Sequence, residues 1–398
     1  MRTPHRSDHD VVVIGSRCAG AATAMLLARA GHDVAVVDRS RFPSDVLSTH
    51  GLVRGGVVQL ARWGLLEDVL ATGAPAVREV TFRRDDIEIT RRIKERAGVD
   101  LLVAPRRHIL DALLVDAARA AGAEVRTGVT ATGLRRDGSD RVVGLEARGA
   151  DGQPIELTAR YVVGADGLRS RTAGWVGART LESFTPDTAT FYMYVADPAW
   201  PAYEFHVARD AFAGVFPTHG GEGCVWLCRP TAAFGALRAA GSDRAAALVA
   251  ELDAVSPALA ARVRSGRITS VVRGATRLPN YVRQPVGPGW ALVGDAGYHR
   301  DPITGHGITD AFRDAELLAT AIDRSLRDQA DEHASMADYQ TRRDAALRET
   351  FDLTTALTSF PPPDRFVELQ IQLAEALERE AELLASFPAP AGSAAEAA

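Results

Sequence analysis

Lysine is all but missing from this chain: Lys94 is the only one, and the remaining long basic side chains are arginines. A mechanism built on a buried lysine therefore has one candidate, and that residue lies in a charged stretch, Arg83 to Arg96, that reads as exposed. Cysteine is scarce as well. Cys18, Cys224 and Cys228 are a small, odd set, which argues against a disulfide framework and fits a reducing compartment. Cys224 and Cys228 have no neighbouring His or Cys pair to complete a zinc site, so no metal is expected; on a strand they would share one face as small core hydrophobes. No apolar run is long enough to span a bilayer, and Met1 to Asp10 carries no apolar signal core, so the expected location is cytoplasmic. An excess of positive charge is lacking too. The net charge is −5, which leaves no electrostatic footprint for nucleic acid.

What is present is an ordinary globular composition, 46 % hydrophobic and 24 % charged over 398 residues, enough to bury a large core without staples. Residues 1–9 read as a disordered lead-in. Val11 to Ile14 is a short apolar run suited to a buried parallel strand, followed by an alanine-rich helix over Ala19 to Ala30 that Gly31 ends. Val34 to Val37 is a second such strand, completing a βαβ unit. Further strands are expected near 78–90, 124–127, 129–160, 161–164, 188–228, 268–276 and 290–293. Helices are expected at 52–71, 107–121, 231–264, 307–327, 335–350 and 363–385, with a loose tail of about a dozen residues.

Gly15-Ser16-Arg17-Cys18-Ala19-Gly20 joins the first strand to the first helix. A tight turn at Gly15, close packing at Ala19 and Gly20, and a helix N-terminus beyond them suit a dinucleotide pyrophosphate. Arg17 stands where such a loop usually has a middle glycine; its side chain either turns outward or pairs with a phosphate. Asp38, with Arg39 beside it, ends the second strand where a ribose hydroxyl would be bound.

Two later segments have the same form, a strand ending in a turn. One is Gly164-Ala165-Asp166-Gly167-Leu168-Arg169-Ser170-Arg171. The other is Gly294-Asp295-Ala296, followed by Pro302-Ile303-Thr304-Gly305-His306-Gly307-Ile308. With the first loop, in this order, they resemble the three motifs of the class A flavoprotein monooxygenases, the para-hydroxybenzoate hydroxylase-like superfamily, which also holds flavin-dependent halogenases and geranylgeranyl reductases. The resemblance runs from about residue 10 to 330. It implies an α/β fold: a Rossmann-like FAD-binding domain (1–78, 100–184 and 281–330), an inserted antiparallel substrate sheet (79–99 and 185–280), and C-terminal helices and tail (331–398).

The same resemblance implies FAD as cofactor and NAD(P)H as co-substrate. Asp38 would hold the adenosine ribose, Arg107 the pyrophosphate and ribityl chain, and Asp295 the ribityl hydroxyls. Asp166 and Gly167 would serve FAD and the nicotinamide. Pro302, Gly305, Gly307 and Ile308 would wrap the isoalloxazine. Asp166 and Asp295 are equally the residue type that caps helices and turns.

The expected reaction is hydroxylation of a small aromatic or polycyclic metabolite by dioxygen through a flavin C4a-hydroperoxide. Reduction would occur on this chain or through a partner flavin reductase. The halogenase reaction is disfavoured, since no lysine lies near a flavin motif. Saturation of isoprenoid or other alkene bonds is the alternative, with residues 42–50 placed where such reductases contact flavin; an FAD-binding protein without oxygenase activity is a third reading. His50 is a candidate base or a capping residue, because an imidazole titrates near neutrality. His306, between two glycines, is expected to face a ligand, and it joins His50 and Pro302 as a catalytic candidate. Tyr192, Tyr194, His206, Phe216 and Trp226 are the aromatic-sheet candidates for substrate contact, each equally suited to a core.

Overall fold

Three apolar strands that the sequence places far apart lie side by side. His9–Ile14 is flanked in parallel by Val34–Asp38 on one side and by Pro154–Gly164 on the other, and Trp290–Leu292 adds to the far edge of Pro154–Gly164. Glu124–Thr127 extends the opposite edge. Residues 11–14, 34–38, 161–164 and 290–292 are buried on both faces or nearly so, which is why these stretches are mainly apolar runs without alternation. The structure, a computed structural model, describes residues 8–328 and 330–389.

Several boundaries differ from those read in the sequence. The first strand begins at His9, which pairs with Ala159, so the expected lead-in is shorter; residues 1–7 lie outside the described residues. The expected short strand 161–164 is the end of one eleven-residue strand, Pro154–Gly164. Its first half pairs antiparallel with Val142–Arg148, and its second half enters the parallel sheet. The expected strand 268–276 is broken into Arg267–Ile268 and Arg273–Thr276. Phe387 and Pro388, placed in the expected tail, are held by Arg62, which donates to their carbonyls; the rest of that expectation, residues 390–398, lies outside the described residues.

The aromatic-rich strands form a second sheet in the order Arg267–Ile268, Thr188–Ala196, Gly223–Pro230, Ala211–Pro217, Tyr203–Ala208, Glu79–Arg84, Ile87–Arg92. It is antiparallel except at one joint, where Glu79–Arg84 runs parallel to Tyr203–Ala208. Strand alternation sorts its side chains between two layers. Phe191, Met193, Val215, Val225 and Leu227 pack on the helices Arg244–Val255 and Pro257–Ser265. Tyr192, Tyr194, Phe212, Phe216 and Trp226 face the opposite way, with buried Cys224 and Cys228 among them.

That second face is covered by the last two helices. Glu332–Thr358 is longer than the expected 335–350, starting from an Asp331 side chain that accepts from the Ala334 N–H. Its buried stripe includes Arg343, Thr350 and Thr354, so the sequence reads as polar where the helix is in fact internal. Pro363–Ala385 matches its expected bounds and sends Phe366, Leu369 and Leu373 against the aromatic face. Phe366 is 2 % exposed and its ring lies 5.2 Å from that of Phe212. Phe366→Ala should lower folding stability by about 3–5 kcal/mol, the range for emptying a buried aromatic site, read as a fall in the urea midpoint.

Candidate functional site

The parallel strands end together, and their ends form one wall of a cavity of about 650 Å3. This is the crevice beyond the carboxyl ends of a doubly wound sheet, where the strand order switches direction. Gly15 has φ +101, and a Cβ there would meet the Ala165 carbonyl oxygen at 2.5 Å. A Cβ on Gly20 would lie 1.8 Å from the Gly15 oxygen, and one on Gly294 would lie 2.8 Å from the Ala19 Cβ. At Gly15 and Gly20 backbone meets backbone, and at Gly294 the backbone meets the Ala19 side chain. Gly20 and Gly294 stand behind the wall, while Gly15, Arg17 and Ala19 line it.

The helix Cys18–Arg29 starts at this wall without a side-chain cap, leaving its first N–H groups to the cavity. Arg17, its N-cap residue, does not turn outward. Its guanidinium reaches Asp111 at 2.7 Å and both the Ser44 carbonyl and hydroxyl, beside the Phe42 ring. Asp111 is fully buried and also accepts from Arg107 and from the Cys18 thiol. One carboxylate thus fixes both arginines next to the phosphate loop. Asp38 accepts from the Ser16 N–H and hydroxyl and from the Ser40 N–H, so it braces the loop while lining the cavity beside Arg39.

Asp166 accepts from the N–H groups of Arg171 and Thr172 and from the hydroxyls of Ser170 and Thr172. The capping reading of this residue is therefore realised in its geometry, with Gly167 at φ +78 beside it on the cavity surface. Asp295 differs. No hydrogen bond to its carboxylate is made among the described residues, and burial raises its pKa, opposed by His299 and Arg107. It sits in the cavity wall with acceptor capacity unused.

The segment after it turns on Asp301, whose side chain accepts from the Ile303 N–H at 2.9 Å and from Thr188. Gly305 is left-handed at φ +62, and the helix Gly307–Leu326 then begins without a side-chain cap. Pro302, Gly305, Gly307 and Ile308 all line the cavity. A Cβ on Gly167, Gly305 or Gly307 would touch no protein atom within 4 Å. Two open helix starts, an unpartnered carboxylate and three bare glycines thus surround one space, and these features fit an elongated phosphorylated cofactor with a flat ring at one end.

Two candidate residues sit differently from expectation. His306 lines the cavity, but its ring is buried and Nε2 lies 2.5 Å from Glu380 of the last helix. His206 lies on the far face of the second sheet, near Glu204 at 3.6 Å, away from the cavity. Tyr192 lines the cavity; Tyr194, Phe216 and Trp226 lie deeper, in the layer packed by the last helices. Arg300, Tyr298 and Ser48 also line it and were not singled out in the sequence. Arg300 and Tyr298 lie between two motifs that were, which is the one signal that would have found them. Lys94 is exposed and outside the wall.

His50 is 1 % exposed, at φ +63, with Nε2 bonded to the Tyr194 hydroxyl and Nδ1 unpartnered. Burial, with Arg107, Arg106, His108 and Arg273 adding repulsion, lowers its pKa well below the ordinary value, so it is neutral at pH 7 rather than poised near neutrality. A depressed value means the unfolded chain takes up this proton first. The His50 contribution to stability is therefore complete above the unfolded pKa of about 6.5 and is lost as pH falls from there through the folded value. His50→Asn, which tolerates positive φ, should flatten that acid-side slope in urea midpoints measured across pH.

A family model described as an FAD binding domain matches residues 8–354. A digeranylgeranylglycerophospholipid reductase of Methanosarcina mazei is 28 % identical over 326 residues, 79 % of this chain and 75 % of that protein. A kynurenine 3-monooxygenase of Salinispora arenicola is 27 % identical over 385 residues, 88 % of this chain and 80 % of its own. Among solved structures, PqsL of Pseudomonas aeruginosa, described as a probable FAD-dependent monooxygenase, superposes with a TM-score of 0.79 at 23 % identity, covering 91 % of this chain and 99 % of that one. This likeness is one of fold. The chain is a flavoprotein oxidoreductase and belongs to the FAD binding domain family.

Proposed function

We propose that this oxidoreductase is a monooxygenase that hydroxylates a compact aromatic or polycyclic metabolite, with dioxygen as oxidant and NAD(P)H as reductant. The observation that carries this reading is the filled aromatic face of the second sheet. Phe366, Leu369 and Leu373 pack into that layer. What remains is a cavity of about 650 Å3, within the ~300–1,000 Å3 typical of small-molecule sites. A dinucleotide takes most of it, so the second ligand is small.

Bound FAD would supply the redox and oxygen chemistry, and the chain's residues would supply position, dryness and charge. Asp38 is proposed to hold the adenosine ribose. Arg107, Arg17 and the start of Cys18–Arg29 would hold the pyrophosphate, with Asp166 and Gly167 beside them. Asp295 would accept from ribityl hydroxyls, and the backbone from Pro302 to Ile308 would follow the ring edge. On the substrate side, His50 and Tyr192 adjoin the same cavity. Neutral His50, with Nε2 engaged by Tyr194 and Nδ1 unpartnered, would orient a substrate hydroxyl more than deprotonate it.

The second reading, saturation of an alkene, is favoured by the reductase relative and by Val46 to His50 lining the cavity. There Tyr192, whose pKa burial raises, would remain protonated and able to donate. The two readings separate in one experiment. Purified protein with FAD, NADH or NADPH and a phenolic panel under oxygen-18 should show substrate-stimulated NAD(P)H oxidation and one labelled oxygen in the product. Anaerobic saturation of an alkene with no label incorporated would overturn the monooxygenase reading. NAD(P)H oxidation that needs an added flavin reductase would place the reduction step on a partner. Independently, Asp295→Ala should weaken FAD binding about 10- to 100-fold, the loss of a charge-assisted hydrogen bond, measured by flavin fluorescence titration.

A further inference from the structure

The charged stretch from Arg83 to Arg96 takes no part in the wall of the cavity, and much of it is an open sheet edge. Ile87–Arg92 is the last strand of the second sheet. It pairs with Glu79–Arg84 on one side and with no other strand among the described residues. All six of its residues are exposed, Ile87 at 62 % and Ile89 at 44 %. Such an edge offers unpaired N–H and C=O groups to any second strand, and proteins commonly blunt it with proline, lysine or a bulge. Ile87–Arg92 contains no proline or lysine, keeps a regular register with its neighbour, and carries charges of both signs.

The order of those charges is informative. The Ile93 N–H donates to the Arg78 carbonyl at 2.8 Å. Bonded and non-bonded pairs alternate along an antiparallel ladder, so Glu88, Thr90 and Arg92 turn their backbone groups outward. Their side chains share one face, where the Thr90 and Thr81 hydroxyls meet at 2.8 Å. On that face Glu88 opposes Arg83, with carboxylate and guanidinium 2.7 Å apart, and Arg92 opposes Glu79. An acid and a base therefore flank Thr90 at equal spacing on the outer strand. On the reverse face Phe82 stacks on Phe205 at 5.1 Å and opposes Ile89, so the aromatic layer runs out to the edge as exposed apolar surface.

We propose that Ile87–Arg92 is an interface with a second copy of this chain: two copies pair antiparallel about a two-fold axis at Thr90 and join their second sheets into one. Thr90 faces the partner's Thr90, and Glu88 faces the partner's Arg92 on both sides of the axis. The row Arg83, Glu88, the partner's Arg92, the partner's Glu79 then alternates in sign across four strands, and the axis repeats it. On the reverse face Ile87 and Ile89 are covered by the partner's Ile93 and the stem of the partner's Arg91. Sliding one copy by two residues destroys the match. In one direction Arg91 meets the partner's Arg91, and in the other Glu88 faces the partner's Thr90. Charge thus selects a single register. The pairing is independent of the reaction carried out at the flavin site.

Sedimentation velocity of the full chain over roughly 1–100 μM, the range suited to a small interface, should show monomer passing to dimer. Glu88→Arg and Arg92→Glu each set like charges opposite one another at both ends of the pairing. Each should raise the dimer dissociation constant about 10- to 100-fold, the scale of two cross-strand pairs turned from attraction to repulsion. An equimolar mixture of the two variants restores opposite charges at both ends and should dimerise as the original chain does, as a heterodimer revealed by a mass tag on one variant. Thr90→Pro removes the central outward N–H and leaves the inward ones in place, so it too should yield monomer. A monomer throughout the range for the original chain would overturn the proposal. So would unchanged dimerisation in Thr90→Pro or in both charge variants, or a mixture that stays monomeric.

Discussion

The backbone-to-backbone contact at Gly15 is the constraint on which the rest of the molecule depends. The turn after the first strand passes so near Ala165 that no side chain fits between them. That contact fixes the first phosphate-loop helix relative to the end of Pro154–Gly164. Gly294 packs as closely against the Ala19 side chain, which brings the third strand end beside the first helix. A single bulky residue at any of these points would push the helix starts apart and dissolve the wall they make. Asp111 then acts from behind, holding Arg17 and Arg107 at the rim with one buried carboxylate. Its burial is tolerable because two guanidinium groups and a thiol satisfy it.

The second dependence is on the chain's last third. The helices Glu332–Thr358 and Pro363–Ala385 do more than shield the aromatic sheet. They pack Phe366, Leu369 and Leu373 into that layer and bring Glu380 to His306 at the cavity wall. Packing and electrostatics here come from the same surface: Phe366 and Leu373 seat the helix, and that seating places the carboxylate within reach of His306.

The parts legible in the sequence were those where one residue type answers one physical demand. Buried parallel strands are unbroken β-branched runs, and the glycines at 15, 164 and 294 stand where chain crowding or turn geometry leaves no choice. Asp38 follows from its place at the end of the second strand, and Asp295 and the segment from Pro302 to Ile308 from the resemblance carried by the three motifs together. The rest depended on tertiary partners. Nothing local to Arg17 announces Asp111, ninety-four residues away, as its acceptor. The helix Glu332–Thr358 hides its buried side because Arg343, Thr350 and Thr354 occupy it. The sequence leaves open which face of its strand His206 takes; alternation puts it opposite Phe205, and only the packing of each layer reveals which face is which. Nothing local to His306 announces Glu380, seventy-four residues further on, as its partner.

The long-range pairing has a consequence for synthesis. The first strand emerges early, yet it needs Pro154–Gly164 beside it, then Trp290–Leu292, then Glu380 beside His306 at the cavity wall. A ribosome-bound fragment lacking the last helix would expose the apolar aromatic face and leave His306 without Glu380. The contacts that close this site are thus completed only when the last helix is available, and until then the aromatic face lacks its cover.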